Sequence, residues 1–126
     1  MSRFNDVLER LAAVIESRRG ADPAASWSAR LIADPALAAR KLGEEAIETV
    51  IAAAQGDRAA IAAESADLIY HWLALLAATG VTLDDVAARL EAREDRSGVE
   101  EKASRGGDPF PAGGEGNFSA ETPSHP

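Results

Sequence analysis

Carboxylates carry the chemistry that this sequence could perform. Glu44, Glu45 and Glu48 form an E-E-x-x-E run, and Glu64 and Asp67 form a later E-x-x-D pair. On a helix, at about 100° per residue, the three glutamates fan across an arc of about 100° that also contains Lys41. Glu64 and Asp67 lie one turn apart and share a face. Carboxylates brought face to face repel one another unless protons or cations intervene. A ligand set made only of oxygens suits hard cations: magnesium, manganese or calcium. Magnesium keeps several waters and binds one or two carboxylates together with substrate phosphates, so the pattern fits metal-assisted phosphate chemistry. The competing reading is two solvated helix faces, the usual meaning of an acidic run taken alone.

Three neighbouring residues admit two readings each. Gly43 interrupts a strong helix at a cost of about 1 kcal/mol relative to alanine, which either a close-lying substrate or a tight helix crossing would explain. Lys41 can hold a phosphate oxygen or pair within its helix with Glu44 or Glu45. His71 lies on an apolar helix with no second nitrogen ligand in view, which favours a structural role over metal binding. His125 has no reading beyond solubility.

Four helices are needed to position these groups. The first spans about Ser2 to Arg18, with Phe4, Val7, Leu8, Leu11, Val14 and Ile15 at helical spacing, and ends at Gly20. A polar stretch from Ala21 to Ser28 follows, then a short helical piece around Ala29 to Ala33. Asp34 and Pro35 provide an N-cap and a first helical residue for the second helix, which continues to Gln55 before Gly56. Asp57 caps the third helix, which runs to about Thr79 and stops at Gly80. Thr82 and Asp85 form a capping box with the shorter acid and open the fourth helix, to about Asp95. The joints at Gly56 and Gly80 are short, so successive helices should pack antiparallel. The middle of the second helix then opposes the first half of the third, and the two acidic faces meet.

The second half of the third helix, with Leu68, Ile69, Trp72, Leu73, Leu75, Leu76 and Ala77, is apolar around most of its circumference. Such a helix must be buried on nearly all sides. Four short helices cannot do that within one protomer, so a homodimer is expected, with this helix at its centre.

Composition sets the wider bounds. The chain has 126 residues, with 46% apolar but only 5% aromatic residues, and alanine and leucine lead the apolar share. That balance favours an all-α domain over a sheet. A formal net charge of -8 argues against nucleic acid or an anionic membrane as partner. The absence of cysteine excludes disulfides and thiolate metal sites. Neither a signal-peptide core nor a run of about 18 uninterrupted apolar residues is present, so a soluble cytoplasmic protein is expected. From Gly106 to Pro126, glycine and proline accumulate without apolar periodicity. This divides the chain into a domain at residues 1–105 and a disordered tail at 106–126.

With these residues in place the sequence resembles a known family. Lys41-Leu42-Gly43-Glu44-Glu45-Ala46-Ile47-Glu48 and Glu64-Ser65-Ala66-Asp67-Leu68-Ile69-Tyr70-His71 resemble the phosphoribosyl-ATP pyrophosphohydrolases, within the all-α, MazG-like NTP pyrophosphohydrolases. Ser26-Trp27-Ser28 is similar to the family's Ser-Tyr/Trp-Thr segment, with serine for the usual threonine. The segment from Gly80 to Val86 and the ending from Ser97 to Ala103 extend the similarity to roughly residues 4–105.

The resemblance implies a four-helix MazG-like bundle completed by homodimerisation. It also implies hydrolysis of phosphoribosyl-ATP to phosphoribosyl-AMP and pyrophosphate, the second step of histidine biosynthesis. Glu45, Glu48, Glu64 and Asp67 are the implied ligands of magnesium, with manganese as the alternative ion. Glu44 is a further ligand or the base that orients the attacking water, so Glu44 and Glu45 are the candidate catalytic residues. Lys41, Ser26, Ser28, Arg30 and Lys102 are candidates for gripping substrate phosphates. A house-cleaning dNTP or NTP pyrophosphohydrolase would share the same carboxylates, and a non-enzymatic helical interaction module would bind no metal.

Overall fold

The computed structural model describes residues 2–95, and every regular element among them is a helix. The order is α1 (Arg3–Ser17), α2 (Trp27–Ala33), α3 (Pro35–Gln55), α4 (Arg58–Thr79) and α5 (Leu83–Glu94). The expected all-α class is observed, with the short piece after Ser26 making a fifth helix beside the expected four. Chain contacts divide at Val86: one unit holds α1 to α4 and the start of α5, and the other begins at Ala87. Lys102, the family-like ending and the tail at 106–126 lie outside the described residues.

Short polar side chains start the helices where the spacing predicts. Ser2 accepts from the Asn5 N–H, Asp34 from Leu37 and Asp57 from Ala60, each satisfying a donor that the first turn leaves unpaired. Thr82 and Asp85 exchange bonds reciprocally: the Thr82 N–H donates to Asp85 Oδ2 and the Asp85 N–H to Thr82 Oγ1. Gly56 and Gly80 end α3 and α4 at φ 66° and 74°, the left-handed region where a side chain would be strained. Arg19, just beyond α1, pairs with Glu16 at 2.6 Å and donates to the Ala77 carbonyl at 2.7 Å, tying α1 to the last turn of α4.

Helix α2 is longer than its sequence pattern suggests. It begins at Trp27 rather than Ala29, because Ser26 caps it by accepting from the Ala29 N–H. Two turns are too short to display a period. Its consecutive residues Leu31 and Ile32 enter two separate core clusters, both resting on α4. Leu31 packs with Leu37, Ala38 and Ala74, and Ile32 packs with Ile15 and Leu73.

Helix α4 is therefore the central post, and α3 lies along it as its most extensive partner. Yet only 17% of its most apolar 18-residue window is buried in the protomer. By length and composition α4 could cross a membrane, but Glu64 and Asp67 lie within it. Large exposed apolar side chains sit elsewhere: Phe4, Val7 and Val14 on α1, and Ile47, Val50 and Ile51 on α3. The apolar stripe of α1 is thus wider than the face that the protomer covers, with Leu8, Leu11 and Ile15 turned inward.

Candidate active site

The pairing of α3 with α4 brings Glu45, Glu48 and Glu64 together. One carboxylate oxygen from each lies within 4.8 Å of the others. Glu45 and Glu48 are one turn apart on α3, and Glu64 reaches them from the first half of α4, as the short Gly56–Asp57 joint requires. Asp67 stands one turn beyond Glu64. It is outside this tightest group, but close enough that its charge acts on both Glu45 and Glu64.

The electrostatics of the cluster are those of acids short of a cation. The Glu45 carboxyl is pushed up to about 7, first by loss of water, then by hydrogen bonding and repulsion from Glu48, with Asp67 and Glu64 adding to it. Glu64 is raised too, chiefly by its hydrogen bond with Glu48. The Oε2 atoms of Glu45 and Glu64 are buried without a hydrogen-bond partner. A buried carboxylate oxygen left unpaired is costly. A divalent cation would satisfy both oxygens and remove the repulsion, so the residues present fit such an ion.

Glu44 behaves differently from its neighbour. It projects to the outside of α3, where Lys41 Nζ binds Glu44 Oε2 at 3.0 Å and Arg40 lies at 3.8 Å. Lys41 above all holds the Glu44 carboxyl below its ordinary range, with a smaller contribution from Arg40. The intrahelical pair allowed for Lys41 is therefore formed. For Gly43, a tight helix crossing is absent from the protomer, since a Cβ there would meet no atom within 4 Å. The space beside Glu44 is open.

The serine-containing entry is built into the fold. The Ser26 side chain is used as the α2 cap, and Ser28 Oγ bonds to the Tyr70 hydroxyl on α4. Arg30 is exposed, and its guanidinium stands 5.5 Å from the Trp27 ring centroid. Lys41 Nζ stands 5.8 Å from the same centroid. The Trp27 indole N–H donates to His71 Nε2 at 3.4 Å, and His71 Nδ1 bonds to the Asp67 carbonyl at 2.8 Å. His71 is buried with both ring nitrogens occupied, in agreement with its structural reading. The sequence shows Trp27 and Tyr70 within family-like segments but gives neither a role. Their partners lie more than forty positions away, and no local spacing signals such contacts.

Residues 8–94 match the family model described as phosphoribosyl-ATP pyrophosphohydrolase. A Caulobacter vibrioides (strain NA1000 / CB15N) protein named phosphoribosyl-ATP pyrophosphatase is 67% identical over 103 residues, covering 82% of this chain and 96% of that protein. A protein of the same name from Caulobacter sp. (strain K31) is 62% identical over 105 residues, covering 83% and 98%. One from Cereibacter sphaeroides (strain ATCC 17029 / ATH 2.4.9) is 58% identical over 101 residues, covering 79% and 98%.

Proposed function

Because this chain belongs to the phosphoribosyl-ATP pyrophosphohydrolase family, we propose that it hydrolyses phosphoribosyl-ATP to phosphoribosyl-AMP and pyrophosphate. This places it at the second step of histidine biosynthesis. The observation that carries the chemistry is the convergence of Glu45, Glu48 and Glu64 with two buried, unpartnered carboxylate oxygens. Glu45, Glu48, Glu64 and Asp67 would hold magnesium, or manganese in its place. The ion would neutralise phosphate charge and activate water for attack on the α–β phosphate bond.

The remaining roles fall to the chain's own side chains. Lys41 and Arg30 supply positive charge beside an acidic cluster, where the substrate's phosphates must come. When Lys41 turns to a phosphate oxygen it releases Glu44, whose carboxylate then becomes free to orient water or accept its proton. Glu45, with its raised pKa, is the second candidate for that proton. Ser26 and Ser28 each make one bond that supports the entry helix, and the Ser26 hydroxyl, which only accepts there, keeps its hydrogen for a phosphate oxygen. The acidic balance and the catalytic reading fit a soluble, cytoplasmic enzyme that works as a homodimer without nucleic acid or membrane.

Pyrophosphate release from phosphoribosyl-ATP with magnesium tests this reading directly. Activity should vanish with EDTA and return with magnesium, and less fully with calcium, whose looser coordination suits in-line transfer poorly. Faster turnover of dCTP or dUTP, together with failure to restore growth without histidine in a strain lacking this step, would favour a house-cleaning enzyme. Full activity in chelator would sink the metal mechanism.

A further inference from the structure

His71 and Trp27 form a relay that the catalytic reading leaves unused. The Asp67 carbonyl can only accept, so the ring nitrogen 2.8 Å from it, His71 Nδ1, carries the hydrogen. That tautomer leaves a lone pair on Nε2, which receives the Trp27 indole N–H. The two rings meet edge to face, 6.3 Å between centroids at 72°, and Tyr70 packs against His71 in the same manner at 5.1 Å. A buried ring on α4, anchored on the backbone of Asp67, thereby fixes the edge of a half-exposed indole on α2.

The indole in turn serves two cations. Arg30 from its own helix and Lys41 from α3 both stand within 6 Å of its centroid, the range in which an aromatic face attracts a cation. Arg30 makes no ion pair among the described residues, so Trp27 is the contact that orders it there. Lys41 reaches the ring while also pairing with Glu44. In a chain of net charge -8, two cations drawn to one indole, Lys41 standing one turn before Glu45 on α3, form an anchorage for an anionic group.

We infer that His71 is a positioning residue for substrate binding: it orients Trp27, and Trp27 holds Arg30 and Lys41 as a paired subsite for a phosphate group. This rests on the phosphate-cleaving reading above and extends it to affinity. His71 and Trp27 are not part of the carboxylate group formed by Glu45, Glu48 and Glu64.

The test is a double-mutant cycle on KM and kcat for phosphoribosyl-ATP with saturating magnesium. Trp27→Leu removes the ring and should raise KM about tenfold, with a smaller change in kcat. Trp27→Phe keeps an aromatic face but loses the N–H, and should raise KM less. His71→Leu should raise KM in the wild-type background yet add almost nothing to Trp27→Phe, because both changes break the same bond. His71→Gln, which retains an acceptor and a donor, should restore part of the loss.

A merely structural histidine would lower stability and amplitude, with KM effects that multiply in the double variant. That result, or an unchanged KM in Trp27→Leu, overturns the inference. If His71→Leu does not fold, Trp27→Leu, Trp27→Phe and Arg30→Gln still decide it: KM should rise in each, and an unchanged KM in the two Trp27 variants overturns the inference. Should the wild-type chain release no pyrophosphate from phosphoribosyl-ATP, the function reading fails. Calorimetric titration with ATP then decides the subsite separately. Binding weakened in both Trp27→Leu and Arg30→Gln supports the inference, and equal binding rejects it.

Discussion

At the scale of single residues, the carboxylate cluster stores repulsion that pH and metal should each reveal. Glu45 and Glu64 are raised in the folded protein, so between the ordinary carboxyl range and about 7 the native state holds more protons than the unfolded chain. Their contribution is fully present below the unfolded value and is lost as pH rises through the folded one. The melting temperature of metal-free protein should therefore fall from about pH 5 to about pH 8. Magnesium should oppose that fall increasingly at higher pH, because it binds the deprotonated acids. Thermal scans with EDTA and with magnesium check this, and a metal-free melting temperature that climbs over the same range contradicts it. Glu16, Glu44 and Asp85 are lowered instead, so their stabilisation is lost at more acidic pH and leaves this window to the cluster.

Glu48→Gln and Asp67→Asn keep side-chain shape while each removes a charge. Turnover should fall by orders of magnitude, while the metal-free protein should melt no lower than wild type, because repulsion is relieved. Near wild-type turnover would make the cluster a solvated face after all. The types and spacing of these acids are legible in the sequence, since helical periodicity alone puts Glu45 with Glu48 and Glu64 with Asp67. The outward turn of Glu44 is not legible there, because it depends on how α3 rolls against α4. That roll leaves Glu44 to Lys41 and Arg40.

At the scale of elements, caps and glycines announce α3, α4 and α5 almost to the residue. Asp34 with Pro35, Gly56 with Asp57, and Thr82 with Asp85 are local signals, and each is seen making the bond or turn expected of it. Helix α2 has only seven residues, and what holds it is tertiary: Leu31 and Ile32 diverge into two clusters, and Trp27 and Ser28 reach across to His71 and Tyr70. Gly43 tests the same boundary between local and distant causes. A methyl group there meets only open space in the protomer, so Gly43→Ala should stabilise α3 by up to about 1 kcal/mol. If the open space belongs to substrate, KM should rise although the protein melts higher. A lower melting temperature would mean that a second chain crosses α3 at that point.

At the scale of the whole molecule, what remains uncovered points to self-association. Apolar patterning puts the dimer's centre on α4, yet that helix is mostly half-buried by its own protomer beyond Asp67, with His71, Leu73 and Ala74 fully inside. Most of the widely exposed apolar side chains lie on α1 and α3, with Leu90 exposed on α5. Ile47, Val50 and Ile51, at 63, 67 and 51% exposure, follow the i, i+3, i+4 spacing of one stripe. Exposed apolar surface of this kind on α1 and α3 is better accounted for by a second copy than by solvent. A symmetric pair would set the same stripe against itself or against the α1 face of its twin. Val50→Glu puts a charge in the middle of the α3 stripe at a position exposed in its own protomer. It should convert a dimer to monomer in light scattering at micromolar concentration and lower the melting temperature, with helical circular dichroism retained. A Val14→Glu variant that dissociates while Val50→Glu does not would move the interface to α1. A wild-type chain that is monomeric at that concentration would leave both stripes exposed and end the dimer reading.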